Sequence, residues 1–300
     1  MPKAILFDAS KCSGCRACQI ACKSWNQRGA TYTTNTGSYE NPPQLTSECW
    51  MRIKFNEVDA GTADTPDIKW RFTKYQCMHC EEATCVKVCP SGATAKHKVT
   101  SGDEEAYVVM TDAAKCVGCN YCVATCPFKA CRYGEADKSV FRCVMCFDRI
   151  SNDAASFPHM QQFGKEWTEK MQAEFPRNIP ACVQTCTTGA LSFGEREDLI
   201  KKAKARVDYL KKEKKVAGAQ TYGIDPVGGV GTLRYLYVLE DSPDAYGLPT
   251  DPKVPAGVEG WSLLAKPMGA FALGGMVVAA ALNYVIHRRN AGLESKEEGV

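Results

Sequence analysis

Eighteen of the 300 residues are cysteine, and sixteen of these fall into four groups. The first is Cys12, Cys15, Cys18 and Cys22, the second Cys77, Cys80, Cys85 and Cys89, and the third Cys116, Cys119, Cys122 and Cys126. The fourth is split: Cys143 and Cys146 are followed, after a long gap, by Cys182 and Cys186. A C-x2-C-x2-C turn wraps three thiolates around one 4Fe-4S cube, and the cysteine closing a C-x2-C-x2-C-x3-C run serves a neighbouring cluster where two are paired. Groups one and three have this spacing, and group two has a longer C-x2-C-x4-C-x3-C loop with the same closing step. Pro90 and Pro127 follow groups two and three, as in bacterial runs of this kind. The sixteen cysteines therefore supply every ligand for four 4Fe-4S clusters, with none lacking.

Other cysteine chemistries fit less of the chain. Structural zinc takes two C-x2-C pairs across a loop, which Cys143, Cys146, Cys182 and Cys186 match, but zinc leaves the three-thiol turns of groups one and three unexplained. Covalent haem needs C-x-x-C-H, whereas Arg16, Glu81, Asn120 and Phe147 follow the paired cysteines. Disulfide scaffolds are usually short secreted chains, and this chain is long enough for a sizeable core. Cys49 and Cys131 lie outside the groups and read as buried free thiols. His79 sits between Cys77 and Cys80, where no ligand is lacking, and reads as structural or as support for a ligand.

The elements that must place these loops follow from hydrophobic pattern. Strand-like runs, Ala4 to Phe7 and Tyr107 to Met110, precede groups one and three. They lead through similar connectors, Asp8-Ala9-Ser10-Lys11 and Asp112-Ala113-Ala114-Lys115, so strand, cluster loop and short helix form a repeating unit. Between Cys146 and Cys182, Met160, Phe163, Trp167, Met171 and Phe175 recur at helical spacing between Pro158 and Pro176, which predicts an amphipathic helix used for packing or partner docking. Leu199, Ala203, Val207 and Leu210 predict a second helix, with the lysines from Lys201 to Lys215 on its solvated face. From Thr221 to Pro255 the chain is rich in Gly, Pro and Asp, interrupted by a strand-like run at Leu233 to Leu239. Gly228, Gly229 and Gly231 lack the spacing of a phosphate loop, and the stretch reads as a surface-hugging extension.

Pro267 to Ile286 is a 20-residue stretch whose conspicuously polar member is Asn283, long enough for one transmembrane helix. Residues 1–10 have neither the apolar core of a signal peptide nor a twin-arginine pair. His287, Arg288 and Arg289 follow the helix, so the positive-inside bias places the C-terminus in the cytoplasm and the cluster domain on the periplasmic side. Such a domain is expected to be exported already folded, with a partner that bears the twin-arginine signal. The net charge of +3 gives no case for nucleic-acid binding.

Four cysteine groups followed by one membrane helix resemble the β (iron-sulfur) subunit of membrane-bound formate dehydrogenases. That family lies within the broader four-cluster ferredoxin-type subunits of molybdenum and tungsten oxidoreductases. The narrower likeness rests on Ala205-Arg206-Val207, the stretch Gly223 to Gly231, Leu236 to Leu239 and Tyr246-Gly247-Leu248-Pro249. The resemblance implies a ligand allocation. Cys12, Cys15 and Cys18 join Cys186, and Cys22 joins Cys143, Cys146 and Cys182. Cys77, Cys80 and Cys85 join Cys126, and Cys89 joins Cys116, Cys119 and Cys122. The long gap in group four, and Thr187 where the family commonly has proline, are departures that remove no ligand.

The expected fold is α+β, with two bacterial-ferredoxin-like double-cluster modules. Residues 1–76 with 127–200 form the first, carrying a helical insertion at 147–181, and residues 77–126 form the second. Residues 201–260 extend toward the membrane, 261–287 span it and 288–300 form a tail. No acid, base or nucleophile constellation stands out, so the chain is expected to be a non-catalytic relay. It would pass electrons between a molybdenum or tungsten catalytic subunit and a membrane cytochrome b in the lipid bilayer. The rivals are the same relay in a hydrogenase or another respiratory oxidoreductase and, from a different class, a structural zinc-binding docking protein.

Overall fold

The computed structural model describes residues 2–30, 32–59, 61–62, 64–99, 106–151, 178–260 and 274–284. Met1–Val254 form one compact unit and Pro255–Val300 another. In chain order, β1 (Lys3–Asp8) passes through a 3-10 turn (Ala9–Lys11) to the first cysteine loop and α1 (Ala17–Trp25). A long hairpin, β2 (Met51–Asp59) and β3 (Ile68–Gln76), delivers the second loop and α2 (Thr84–Lys87). A second hairpin, β4 (Thr94–Lys98) and β5 (Tyr107–Thr111), delivers the third loop and α3 (Tyr121–Thr125). A third, β6 (Arg132–Gly134) and β7 (Ser139–Phe141), delivers Cys143, Cys146 and α4 (Phe147–Ile150). There follow α5 (Ala181–Gln184), β8 (Leu191–Glu195), α6 (Arg196–Lys212), β9 (Gln220–Tyr222) and β10 (Tyr235–Leu239).

The largest sheet has the order β8-β1-β10-β9. β1 runs parallel to β10, with Ile5 opposite Tyr235 and Asp8 opposite Val238, and antiparallel to β8. Side chains alternate across a strand, so this sheet has two distinct faces. Ala4, Leu6, Leu236 and Val238 meet Leu199, Ala203, Val207 and Leu210 of α6, the stripe that the sequence predicts. Ile5, Phe7, Tyr235, Tyr237 and Leu239 point the other way, into a core shared with Cys18, Cys22, Cys77, Cys143 and Cys182. The sheet thus separates an all-apolar helix interface from the side where the cysteines gather.

This corrects the expectation of a surface-hugging extension. Tyr235–Leu239 is fully buried at every position and lies at the centre of the sheet. A strand covered on both faces reads as a continuous apolar run rather than an alternating one, which is the pattern of Tyr-Leu-Tyr-Val-Leu. The preceding turn at Gly228–Val230 forms no phosphate loop and instead braces the second cysteine loop. Glu81 N donates to Thr232 O at 2.9 Å, Glu82 N to Val230 O at 2.8 Å and Arg234 N to Met78 O at 3.1 Å.

In the second unit, a short helix α7 (Ala256–Gly260) precedes helical residues 274–284, where Met276, Val277, Val278, Leu282 and Tyr284 are exposed. Among the described residues no helix is long and apolar enough to cross a membrane. The rest of the stretch 267–286, and the expected helix bearing Met160, Phe163, Trp167, Met171 and Phe175, lie outside the described residues.

Candidate iron-sulfur centres

The first C-x2-C turn of each group shares one backbone device. The residue before the second cysteine has positive φ: +67° at Gly14, +47° at His79, +67° at Gly118 and +50° at Met145. Glycine adopts this region without cost, whereas His79 and Met145 hold it against the clash of their own Cβ. Groups one and three are true structural repeats. Asp8 Oδ1 accepts from Ser10 N at 3.1 Å and Asp112 Oδ1 from Ala114 N at 3.0 Å, each carboxylate capping the turn that leads to the loop. Lys11 pairs with Asp8 and Lys115 with Asp112, and Arg16 and Asn120 both have φ 61° at the start of the following helix.

The structure brings distant cysteines together. Cys12, Cys15, Cys18 and Cys186 line one cavity, closed by Phe7, Ile53 and Leu191. Cys22, Cys143, Cys146 and Cys182 line a second, with Met51, Lys74 and Tyr235. Helices α1 and α5 pack against each other, and Cys18 and Cys22, one turn apart on α1, line different cavities. Cys77, Cys80, Cys85 and Cys126 form a third set of mutual electrostatic neighbours. For the fourth set, Cys116, Cys119 and Cys122 repeat the loop conformation of group one, and α2, which runs toward Cys89, packs on α3.

Burial governs the chemistry of these thiols. It pushes Cys12 up to about 11 and Cys18 up to about 12, with neighbouring cysteines adding to both shifts. Burial likewise raises Cys22, Cys77, Cys80 and Cys182, again reinforced by nearby cysteines. Four thiolates cannot share a dry cavity unless a cationic group stands among them. That requirement, with four cysteines around each of the two cavities, fits a 4Fe-4S cube. Backbone amides point at the sulfurs as well: Gly14 N lies 3.5 Å from Cys12 Sγ, Met145 N 3.4 Å from Cys143 Sγ, Thr94 N 3.3 Å from Cys89 Sγ and Ala130 N 3.4 Å from Cys126 Sγ. Such N–H···S bonds are one of the means by which proteins set cluster potentials.

The two cysteines outside the groups differ. Cys49 is a buried thiol that donates to Met51 O at 3.3 Å and accepts from Gln19 Nε2 at 3.6 Å. Cys131, buried at 1% exposure, hydrogen-bonds with Cys85, Cys122 and Cys126, and this contact holds Cys126 down at about 6. His79 is fully buried: Val109 N donates to its Nδ1 at 3.0 Å, and its ring stacks on Tyr235. Burial, then Arg142 and Lys74, drives it down to about 3, so the imidazole is neutral. Sequence reasoning missed Lys74, Arg142 and Tyr235. The available signal was Lys74 itself, which falls in register with Trp70 and Phe72 on the apolar face of β3.

A fold of strand, cysteine loop and short helix, repeated around sulfur-lined cavities, defines a ferredoxin-type 4Fe-4S protein. The family model of the 4Fe-4S dicluster domain matches residues 68–165. The formate dehydrogenase iron-sulfur subunit of Haemophilus influenzae is 36% identical over 93% of this chain and 79% of its own length. The nitrate-inducible formate dehydrogenase iron-sulfur subunit of Escherichia coli K12 is 34% identical over 98% of this chain and 88% of its own. A sulfite dehydrogenase subunit of Allochromatium vinosum is 33% identical over 65% of this chain and 69% of its own. The chain belongs to the family of formate dehydrogenase iron-sulfur subunits. It is an electron-transfer subunit rather than a catalytic one.

Proposed function

We infer that this chain holds four 4Fe-4S clusters and relays electrons between a formate-oxidising molybdenum or tungsten subunit and a membrane cytochrome b. The observation that carries this is the assembly of cysteines from distant segments into common cavities, above all Cys186 with Cys12, Cys15 and Cys18, and Cys22 with Cys143, Cys146 and Cys182. The third set is Cys77, Cys80, Cys85 and Cys126, and the fourth Cys89, Cys116, Cys119 and Cys122. When bound, each cluster supplies a site that takes up and gives up one electron. The protein excludes water through Phe7, Ile53, Met51 and Tyr235, and supplies the amide donors named above. The hairpins and the turn at Gly228–Val230 fix the loops so that little rearranges when charge moves.

The anchor in this reading is the apolar stretch Pro267 to Ile286, with His287, Arg288 and Arg289 on the cytoplasmic side and the cluster domain outside the cytoplasmic membrane. Iron and acid-labile sulfide analysis tests the cofactors, with about sixteen iron atoms per chain expected from four cubes. Eight would halve the number, and zinc in place of iron would end the reading. Identification of copurifying subunits tests the partners, with a formate-oxidising subunit and a cytochrome b expected. A sulfite-oxidising partner would favour the second reading, suggested by the Allochromatium relative, in which the same relay serves another catalyst. Protease treatment of spheroplasts tests orientation: degradation of the cluster domain is expected, and protection would place it in the cytoplasm.

A further inference from the structure

Two buried cations cross between the cysteine sets. Lys74 lies on β3, three residues before Cys77, and is 1% exposed. Its Nζ donates to Gln76 Oε1 at 3.0 Å and stands 4.4 Å from the centre of the Tyr235 ring, whose hydroxyl is 3.4 Å from Cys143 Sγ. The lysine lines the cavity of Cys22, Cys143, Cys146 and Cys182, and its charge also reaches Cys18 of the neighbouring set. Lys74 therefore stands between the first and second sets, although its own strand delivers the third.

Arg142 is the mirror case. It directly precedes Cys143 of the second set and is 2% exposed. Its guanidinium is held by the β4–β5 hairpin, where Nη2 donates to Thr111 Oγ1 at 2.9 Å and to Thr94 Oγ1 at 3.2 Å. The cysteines it faces are Cys85, Cys77 and Cys122, together with Cys131, so it stands between the third and fourth sets. Its Nε and Nη1 have no hydrogen-bond partner among the described residues.

A cation is retained in a dry interior only where anions or hydrogen bonds offset its lost hydration. For both residues the groups placed to offset the charge, once they hold a cluster as thiolates, are cysteines. Four thiolates outnumber the charge of the cube they hold, so each loaded site is net negative and becomes more so on taking an electron. A fixed positive charge nearby favours the reduced form.

We propose that Lys74 and Arg142 are positioning charges, each raising the reduction potential of the cluster pair it stands between, and each supplied by the segment that leads into the other pair. The step they bias is the entry of one electron, with no bond made or broken and no proton taken up by either side chain. The proposal rests on the assignment of the four sets as cluster ligands, and the iron content of the unaltered protein tests that assignment separately.

The experiment is an EPR-monitored redox titration of the full-length chain in its complex, with signals assigned by Cys18→Ser and Cys77→Ser. Lys74→Met is expected to disfavour reduction at the Cys18 or Cys22 cluster by tenfold or more, about 59 mV for a one-electron couple. The Cys77 cluster, three residues away in sequence, should not move. Arg142→Met should do the converse, moving the Cys77 or Cys122 cluster and leaving that of Cys143 in place. Lys74→Arg and Arg142→Lys, which keep the charge, should load fully and titrate as the unaltered protein does. Unchanged potentials in both Met variants, or shifts confined to the cluster nearest in sequence, would overturn the proposal while four-cluster iron content leaves the assignment standing. Should a Met variant fail to load iron, loading of its charge-conserving counterpart supports the charge role, and failure of both overturns it.

Discussion

Gly14, Gly92 and Gly118 share a φ of +67° but differ in what a methyl group would meet, so alanine at each position separates backbone strain from crowding. At Gly92 nothing lies within 4 Å, and Gly92→Ala should cost only the left-handed penalty, roughly 1–2 kcal/mol. At Gly118 the new Cβ would meet the Tyr133 ring at 3.3 Å, a contact that a small ring shift relieves. At Gly14 it would lie 2.9 Å from Phe72 Cε1 and 3.2 Å from Phe55 Cε1. Those rings have little room to move: Phe55 and Phe72 pack edge to face with centroids 5.1 Å apart, Trp70 stacks on Phe72, and the Arg16 guanidinium sits 4.7 Å from the Phe55 centroid. Overpacking of this kind adds about 1–3 kcal/mol, which brings Gly14→Ala to about 2–5 kcal/mol. The assay is the unfolding rate of the iron-loaded chain in guanidinium, followed by bleaching of the visible cluster band. Rates should rank Gly14→Ala fastest, then Gly118→Ala, then Gly92→Ala, each relative to the unaltered protein. A Gly14→Ala rate no greater than that of Gly92→Ala would refute the crowding argument and leave strain alone.

Three further outcomes are expected. Cys18→Ala and Cys22→Ala, one turn apart on α1, should abolish different EPR signals; loss of the same signal from both would refute their assignment to separate cavities. Cys49→Ala should leave iron at about sixteen per chain, since its thiol contacts Met51 O and Gln19 and not a cysteine set, and a fall of four iron atoms would make it a ligand. Leu236→Ala should destabilise the protein by about 2–5 kcal/mol, because the side chain is fully buried between the sheet and α6; a denaturation midpoint within error of the unaltered protein would mean that α6 does not pack there.

The cysteine grouping, the strands before groups one and three and the stripe of α6 are all legible from residue type and spacing, because each is a local pattern. The place of β10 is not. Its register against β1 joins residues far apart in the chain, and its uniformly apolar run carries no alternation from which to read a face. Nor does spacing reveal which cysteine closes which set, since Cys18 and Cys22 project from one helix and line different cavities. His79 and Met145 in the position held elsewhere by Gly14 and Gly118 hide the common loop conformation, because neither residue type advertises a positive φ. Lys74 and Arg142 read as surface charges in the sequence, because their burial depends on packing against segments distant in the chain.

The pairing of β1 with β10 also sets a timetable for biogenesis. Every cysteine of the third and fourth sets lies within residues 77–126, so that segment has its full complement of thiols as soon as it leaves the ribosome. The first-made cysteines, Cys12 to Cys22, must wait for Cys143, Cys146, Cys182 and Cys186, and their strand stays without its central neighbour until Leu239 has been made. On the proposed allocation of ligands, the middle segment can therefore be completed before the N-terminal one. The N-terminal thiols are made first and, on that allocation, are the last to gain all their partners.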